Sequence, residues 1–121
     1  MNTKELEERL IKFAAMVTEL TDSLRKNRAG LTLIDQMSRS SISAALNYGE
    51  AAGAESQKDF VHKLQVVLKE LRETLMALRI TQVSRLSSNN ELLKSCLQEC
   101  NELISIFTKS VISNKKKIKN S

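Results

Sequence analysis

Four separate stretches of this chain repeat apolar side chains at steps of three and four residues, and no proline interrupts any of them. In the first, Leu6, Leu10, Phe13, Val17, Leu20 and Leu24 alternate steps of four and three, which draws a single apolar seam along a helix. The third carries Phe60, Leu64, Val67, Leu71, Leu75 and Leu78, widened by Val61, Leu68 and Ile80, and the fourth Leu93, Cys96, Cys100, Leu103, Phe107 and Val111. The second differs: Ile34, Met37, Ser41, Ala44, Tyr48 and Ala51 are mostly small, so this helix can approach its neighbours closely. Glycine occurs only at Gly30, Gly49 and Gly53, too few turn residues for a β-rich fold. Valine, isoleucine and aromatic residues are too scattered for strands. The chain reads as all-α.

Local signals divide it into four helices. Thr3 caps a first helix over Lys4–Asn27, with Glu5, Glu7 and Glu8 in its first turns. Arg25, Lys26 and Arg28 complement its negative end, and Gly30 is a stop. Thr32-Leu33-Ile34-Asp35 is a capping box for the second helix, which ends at Gly53 and the link Gly53-Ala54-Glu55-Ser56. Ser56-Gln57-Lys58-Asp59 opens the longest helix, to Leu86, and Ser88-Asn89-Asn90-Glu91 opens the fourth. That helix fades at Ser113-Asn114. The expectation is an antiparallel up-down-up-down four-helix bundle over residues 1–113, with a disordered basic tail over 114–121. A long coiled-coil hairpin is the rival arrangement; three separate cap signals favour the bundle.

A chain of 121 residues fits one domain with a real core. Cys96 and Cys100 lie four apart on one helix and cannot staple distant segments. The polar, acidic start is no signal peptide, and no apolar run approaches the ~20 residues of a membrane span. These features lead us to expect a soluble, cytoplasmic protein without a membrane association. Net charge is +5, of which Lys115, Lys116, Lys117 and Lys119 supply four, leaving +1 for residues 1–114. The pI of about 9.4 therefore reports mainly the tail.

Candidate chemistry is thin. His62 is the single histidine, with no second group spaced to orient it as a base. Cys96 and Cys100 share a helix face, but two thiolates fall short of a tetrahedral zinc set, and both sit on the apolar seam. Asp59-Phe60-Val61-His62 has no partner copy, as a di-iron bundle would need. Phosphate-binding, zinc-protease and nucleophile-elbow motifs are missing. No enzyme activity, metal or cofactor is expected.

The second helix is the odd element. Gln36, Ser40, Ser43, Asn47 and Glu50 make a polar stripe beside its small residues, either a solvated face or a partly buried network reaching Glu70 or Glu73. Ile42 and Leu46 lie off both stripes, near Arg39 and Gly49, and mark a contact with another subunit. For nucleic acid, Lys58, Lys63, Lys69, Arg72, Arg79 and Arg85 could meet phosphates, joined by the four tail lysines. Phe13, Phe60 and Phe107 all fall on core seams, so binding would be backbone-directed and salt-sensitive.

The run from Gln36 to Ala51, with Met37-Ser38-Arg39-Ser40-Ser41 and Ala45-Leu46-Asn47-Tyr48-Gly49-Glu50, resembles the signature helix of the bacterial four helix bundle protein family. That family includes proteins encoded in 23S ribosomal RNA intervening sequences. Ser56 to Leu64, then Leu68-Lys69-Glu70-Leu71-Arg72-Glu73-Thr74, is similar to its second signature. The likeness spans about a third of the chain. It implies a ring-like homopentamer with no known catalysis and a role with nucleic acid. A related fold is that of the accessory variability determinant of diversity-generating retroelements, a basic pentamer that binds RNA and a reverse transcriptase. On this resemblance Arg39, Asn47, Glu50, Phe60 and Glu73 match characteristic positions, with structural and assembly roles. It favours the buried network for Asn47 and Glu50. The expectation is thus a non-enzymatic homo-oligomer associated with structured RNA, or alternatively a module that docks a partner enzyme.

Overall fold

The computed structural model describes residues 1–120. Its helices are α1 (Thr3–Thr21), α2 (Arg28–Ala51), α3 (Gln57–Val83) and α4 (Asn90–Lys119). Each packs on the next and α1 closes against α4, so α1 and α3 stand on one diagonal and α2 and α4 on the other. Cross-links fix antiparallel registers. Arg39 meets Glu70 and Glu73 while Glu50 meets Lys63, and Gln57 bonds Asn114 while the Cys100 thiol donates to the Leu71 carbonyl. This is the up-down-up-down bundle that the four seams demand.

The seams of α1 and α4 bury residue for residue as read, with Phe13 and Phe107 at 0% exposure. Tyr48 meets Phe107 edge-to-face, ring centroids 5.3 Å apart, a favourable quadrupole geometry. The middle of the bundle departs from the reading. On α2, Leu33 and Ser40 point inward, whereas Ile34 is only partly covered. On α3, Thr74 and Thr81 occupy core positions while Ile80 is 50% exposed. The reason is close packing of α2 on α3. Thr74 and Thr81 return their hydroxyls to the Glu70 and Ala77 carbonyls, and Ser40 shares a 2.6 Å hydrogen bond with Thr74. These buried hydroxyls are satisfied without large side chains.

Helix boundaries shift where the chain turns. α1 is capped by Asn2 rather than Thr3 and stops at Thr21, short of Asn27. Asn27 instead caps α2, accepting from the Gly30 amide at 2.8 Å, so Gly30 lies in the first turn of α2 and the Thr32 box is not used. Ser56 caps α3 as read, accepting from Asp59, whereas Asn89, not Ser88, caps α4. Ser88 and Arg25 serve the other end of the connection. The Ser88 amide donates to Ser23, and the Arg25 amide to Leu86, each at 2.9 Å. A single antiparallel bridge, Leu24 with Ser87, thereby ties the α1–α2 and α3–α4 turns together.

The disordered tail expected from residue 114 is corrected: α4 continues to Lys119, and Ser121 lies outside the described residues. No glycine or proline follows Gly53, and lysine is a good helix former. Lys116, Lys117 and Lys119 also complement the negative helix end. The Gln57 amide anchors this last stretch by donating to Asn114 at 2.9 Å. Among the described residues no helix is long and apolar enough to cross a membrane.

Candidate nucleic-acid and assembly surfaces

Close approach of α2 and α3 brings Arg39 over two carboxylates, 3.2 Å from Glu70 and 2.9 Å from Glu73. The Glu70 side chain is 6% exposed, and Arg39 closes it off from solvent. The Arg39 hydrogen bond is the main cause holding the Glu73 carboxyl below its usual range, and the positive charges of Lys69 and Arg39 add to it. Arg39, Glu70 and Glu73 are therefore one unit. Asn47 and Glu50 are not part of it. Asn47 donates to the Ser43 carbonyl and hydroxyl on its own helix, and Glu50, 65% exposed at its side chain, meets Lys63 at 3.6 Å. The expected single buried network fails on distance, since eight and eleven residues of helix put Asn47 and Glu50 ~12 and ~16 Å from Arg39 along the axis.

The cations divide in the same way. Lys58, Lys69, Arg72 and Arg79 recur at helical spacing along the outer side of α3, and all four are exposed. Lys69 lies 4.0 Å from Glu73; Lys58, Arg72 and Arg79 form no ion pair among the described residues. Lys63 turns toward α2, and Arg85 sits in the turn after α3. Lys115, Lys116, Lys117 and Lys119 surround the end of α4, all exposed. Because Gln57 meets Asn114, these lysines lie beyond the first residue of α3 and form a positive end to the molecule.

Ile42 and Leu46 are 43% and 64% exposed on α2, on its outward side. A second apolar stripe is Met76, Ile80 and Val83, at 55%, 50% and 81% exposure; Met76 and Ile80 border a groove that Leu33 and Ala77 floor, and Val83 lines a hollow beside it at the end of α3. Steps of four and three between these residues were visible, but they were hidden by the stronger Leu71-Leu75-Leu78 seam beside them. His62 is exposed. Cys96 and Cys100 are buried, and burial pushes their thiols up to about 11 and about 12. No three His, Cys, Asp or Glu side chains gather as a metal-binding group among the described residues.

The family model described as 23S rRNA-intervening sequence protein matches residues 4–109, most of α1 through α4. The chain belongs to this family. A solved structure of similar fold is a protein of unknown function from the S23 ribosomal protein family of Bacteroides thetaiotaomicron VPI-5482. It is 24% identical, with a TM-score of 0.78, over 92% of this chain and 98% of the other. At that identity the likeness is one of fold. No curated protein matches the chain. The family match stops at residue 109, before the lysines that end α4.

Proposed function

We propose that this 23S rRNA-intervening sequence family member is a non-enzymatic homo-oligomer, a pentamer, that associates with structured RNA through phosphate contacts. The observation that carries the reading is the end of α4. Four lysines on one continuous helix, unpaired among the described residues, project beyond the start of α3. Successive residues are 100° apart on a helix, so Lys115, Lys116, Lys117 and Lys119 present charge on several sides rather than one face. That suits a phosphate backbone, where position matters and base identity does not. Phe13 and Phe107 are buried and Phe60 is half-buried, which agrees with contacts that do not depend on stacking. Repeated once per subunit, each weak contact gains from the others by avidity.

Filter binding of the full chain to ribosomal RNA fragments, titrated from 50 mM salt upward, tests the RNA half of this reading. Affinity should fall by a factor of ~10 or more on moving to 200 mM salt, as counterion release requires when several phosphates are engaged. Binding indifferent to salt, or none at 50 mM, rejects it. Sedimentation equilibrium tests the other half: a mass of one chain at all concentrations removes the oligomer.

Exposed Ile42 and Leu46 favour a second reading, docking of a partner enzyme such as a reverse transcriptase on the outer side of α2. Truncation at Asn114 separates the two. RNA affinity falls under the first reading, whereas docking through α2 survives.

A further inference from the structure

The α2–α3 groove and the outer side of α1 are complementary in charge, in apolar content and in length. On α3, Lys69, Arg72 and Arg79 flank Met76, Ile80 and Val83, all exposed. On α1, Glu8, Glu19 and Asp22 flank Ile11 and Ala15, also exposed, with Ile11 at 48%. By helical spacing each set occupies one outward side of its helix. Both sets span fourteen residue steps, ~21 Å of helix. The three α1 carboxylates form no ion pair among the described residues, and neither do Arg72 and Arg79. Arg9 is turned away and held by Glu99, its Nε 3.0 Å from the carboxylate; Lys4 and Lys12, four residues either side of Glu8, lie on the stripe and at its edge, against the three carboxylates.

We infer that the groove between α2 and α3 receives the outer face of α1 from a second copy of this chain. Ile11 and Ala15 cover Met76 and Ile80, and Glu8, Glu19 and Asp22 face the cations of α3. The two faces lie on opposite corners of the bundle, because α1 and α3 are diagonal and do not touch. A surface and its complement on opposite corners cannot pair by a two-fold axis. The contact is head-to-tail, and a head-to-tail contact closes only as a ring. This inference rests on the homo-oligomer proposed above and adds which faces make it. It also has a consequence for RNA. Arg72 and Arg79 are spent on assembly, so phosphate contact falls to the lysines of α4.

Charge exchange tests this. The double variants Glu8→Lys/Glu19→Lys and Arg72→Glu/Arg79→Glu each place like charges across the contact, and each should weaken assembly about tenfold or more in sedimentation velocity. Their combination restores opposite charges and should regain the parent's sedimentation coefficient. All these positions are exposed, and helical circular dichroism and the melting temperature check that each variant is folded. Neutral Arg72→Gln/Arg79→Gln should weaken assembly less than the reversal. Double variants that assemble like an oligomeric parent overturn the inference and leave the oligomer standing. So does a combination no better than its halves. A parent that sediments as a single chain throughout overturns the oligomer itself. Arg72→Glu/Arg79→Glu that keeps its mass yet loses RNA would assign the groove to nucleic acid and overturn the inference as well.

Discussion

Arg85 adopts φ 54°, the left-handed region where a side chain crowds the following carbonyl. It does so because the end of α3 is a Schellman turn: the Arg85 amide donates to Gln82, and the Leu86 amide reaches back to Thr81, both at 3.2 Å. Leu86 is buried by that turn, at 8% exposure. Glycine is the usual residue at this position, which is why the sequence reading ran the helix on to Leu86. Arg85→Gly should stabilise the protein by about 0.5–1 kcal/mol in urea denaturation, the strain relieved outweighing the freedom glycine adds to the unfolded chain. A loss of stability would mean that the Arg85 side chain contributes something the turn geometry does not explain. The cysteines give a second test at this scale. Burial raises both thiols, that of Cys96 to about 11 and that of Cys100 to about 12, from an ordinary 9.0. Native protein at pH 8 should resist maleimide labelling at both, and label rapidly in urea. Raised folded values also mean that this share of stability is intact below pH 9 and lost as pH climbs toward 11–12. The loss is on the order of 1 kcal/mol per thiol per pH unit. Cys96→Ala/Cys100→Ala should flatten that alkaline decline in the urea midpoint.

Elements were legible where one strong apolar seam ran along a helix. Leu6 to Leu24 and Leu93 to Val111 could be read directly, because each faces a single core and owes little to its neighbours' shapes. The α2–α3 pair was less legible. Ser40, Thr74 and Thr81 are buried only because two helices approach closely enough to satisfy their hydroxyls, and hydropathy cannot see that approach. Ile80, on the seam in sequence, faces outward while Thr81 beside it takes the inner position. Gly30 shows the turn-level version. A helix stop in sequence terms, it is instead the residue over which the α1–α2 connection folds: a Cβ there would lie 1.6 Å from the Arg25 carbonyl oxygen. Gly30→Ala should therefore destabilise by about 2 kcal/mol, because backbone displacement outweighs the gain of up to ~1 kcal/mol in helix propensity. Thermal unfolding checks this, and an unchanged or higher midpoint would show that the connection yields freely. Of the candidate site, the α2 stripe points to Glu70 or Glu73 in sequence, and in the structure it is Arg39, outside that stripe, that meets both. Asn47 and Glu50 lie elsewhere along α2, since a stripe of polar residues along a helix does not reveal how far each lies from its partners.

At the scale of the whole molecule, the distribution of charge matters more than its sum. A body of residues 1–114 at +1 carries a cationic α3 on one corner and a carboxylate-bearing α1 on the opposite one, while α4 ends in four lysines. The first two faces suit contact between copies, and the third suits phosphate. Composition revealed the lysines, but not that they continue a helix anchored by Gln57 and Asn114. The most direct measurement is filter binding of a ribosomal RNA fragment by the full chain beside a variant with Lys115, Lys116, Lys117 and Lys119 all changed to Gln. Weaker binding by the variant is the expected result. Its plot of log affinity against log salt should be shallower by about 0.7–0.9 for each phosphate that the lysines no longer neutralise, with an unaltered sedimentation coefficient. Equal affinity and an equal salt slope in the two proteins would contradict a phosphate-binding role for the end of α4.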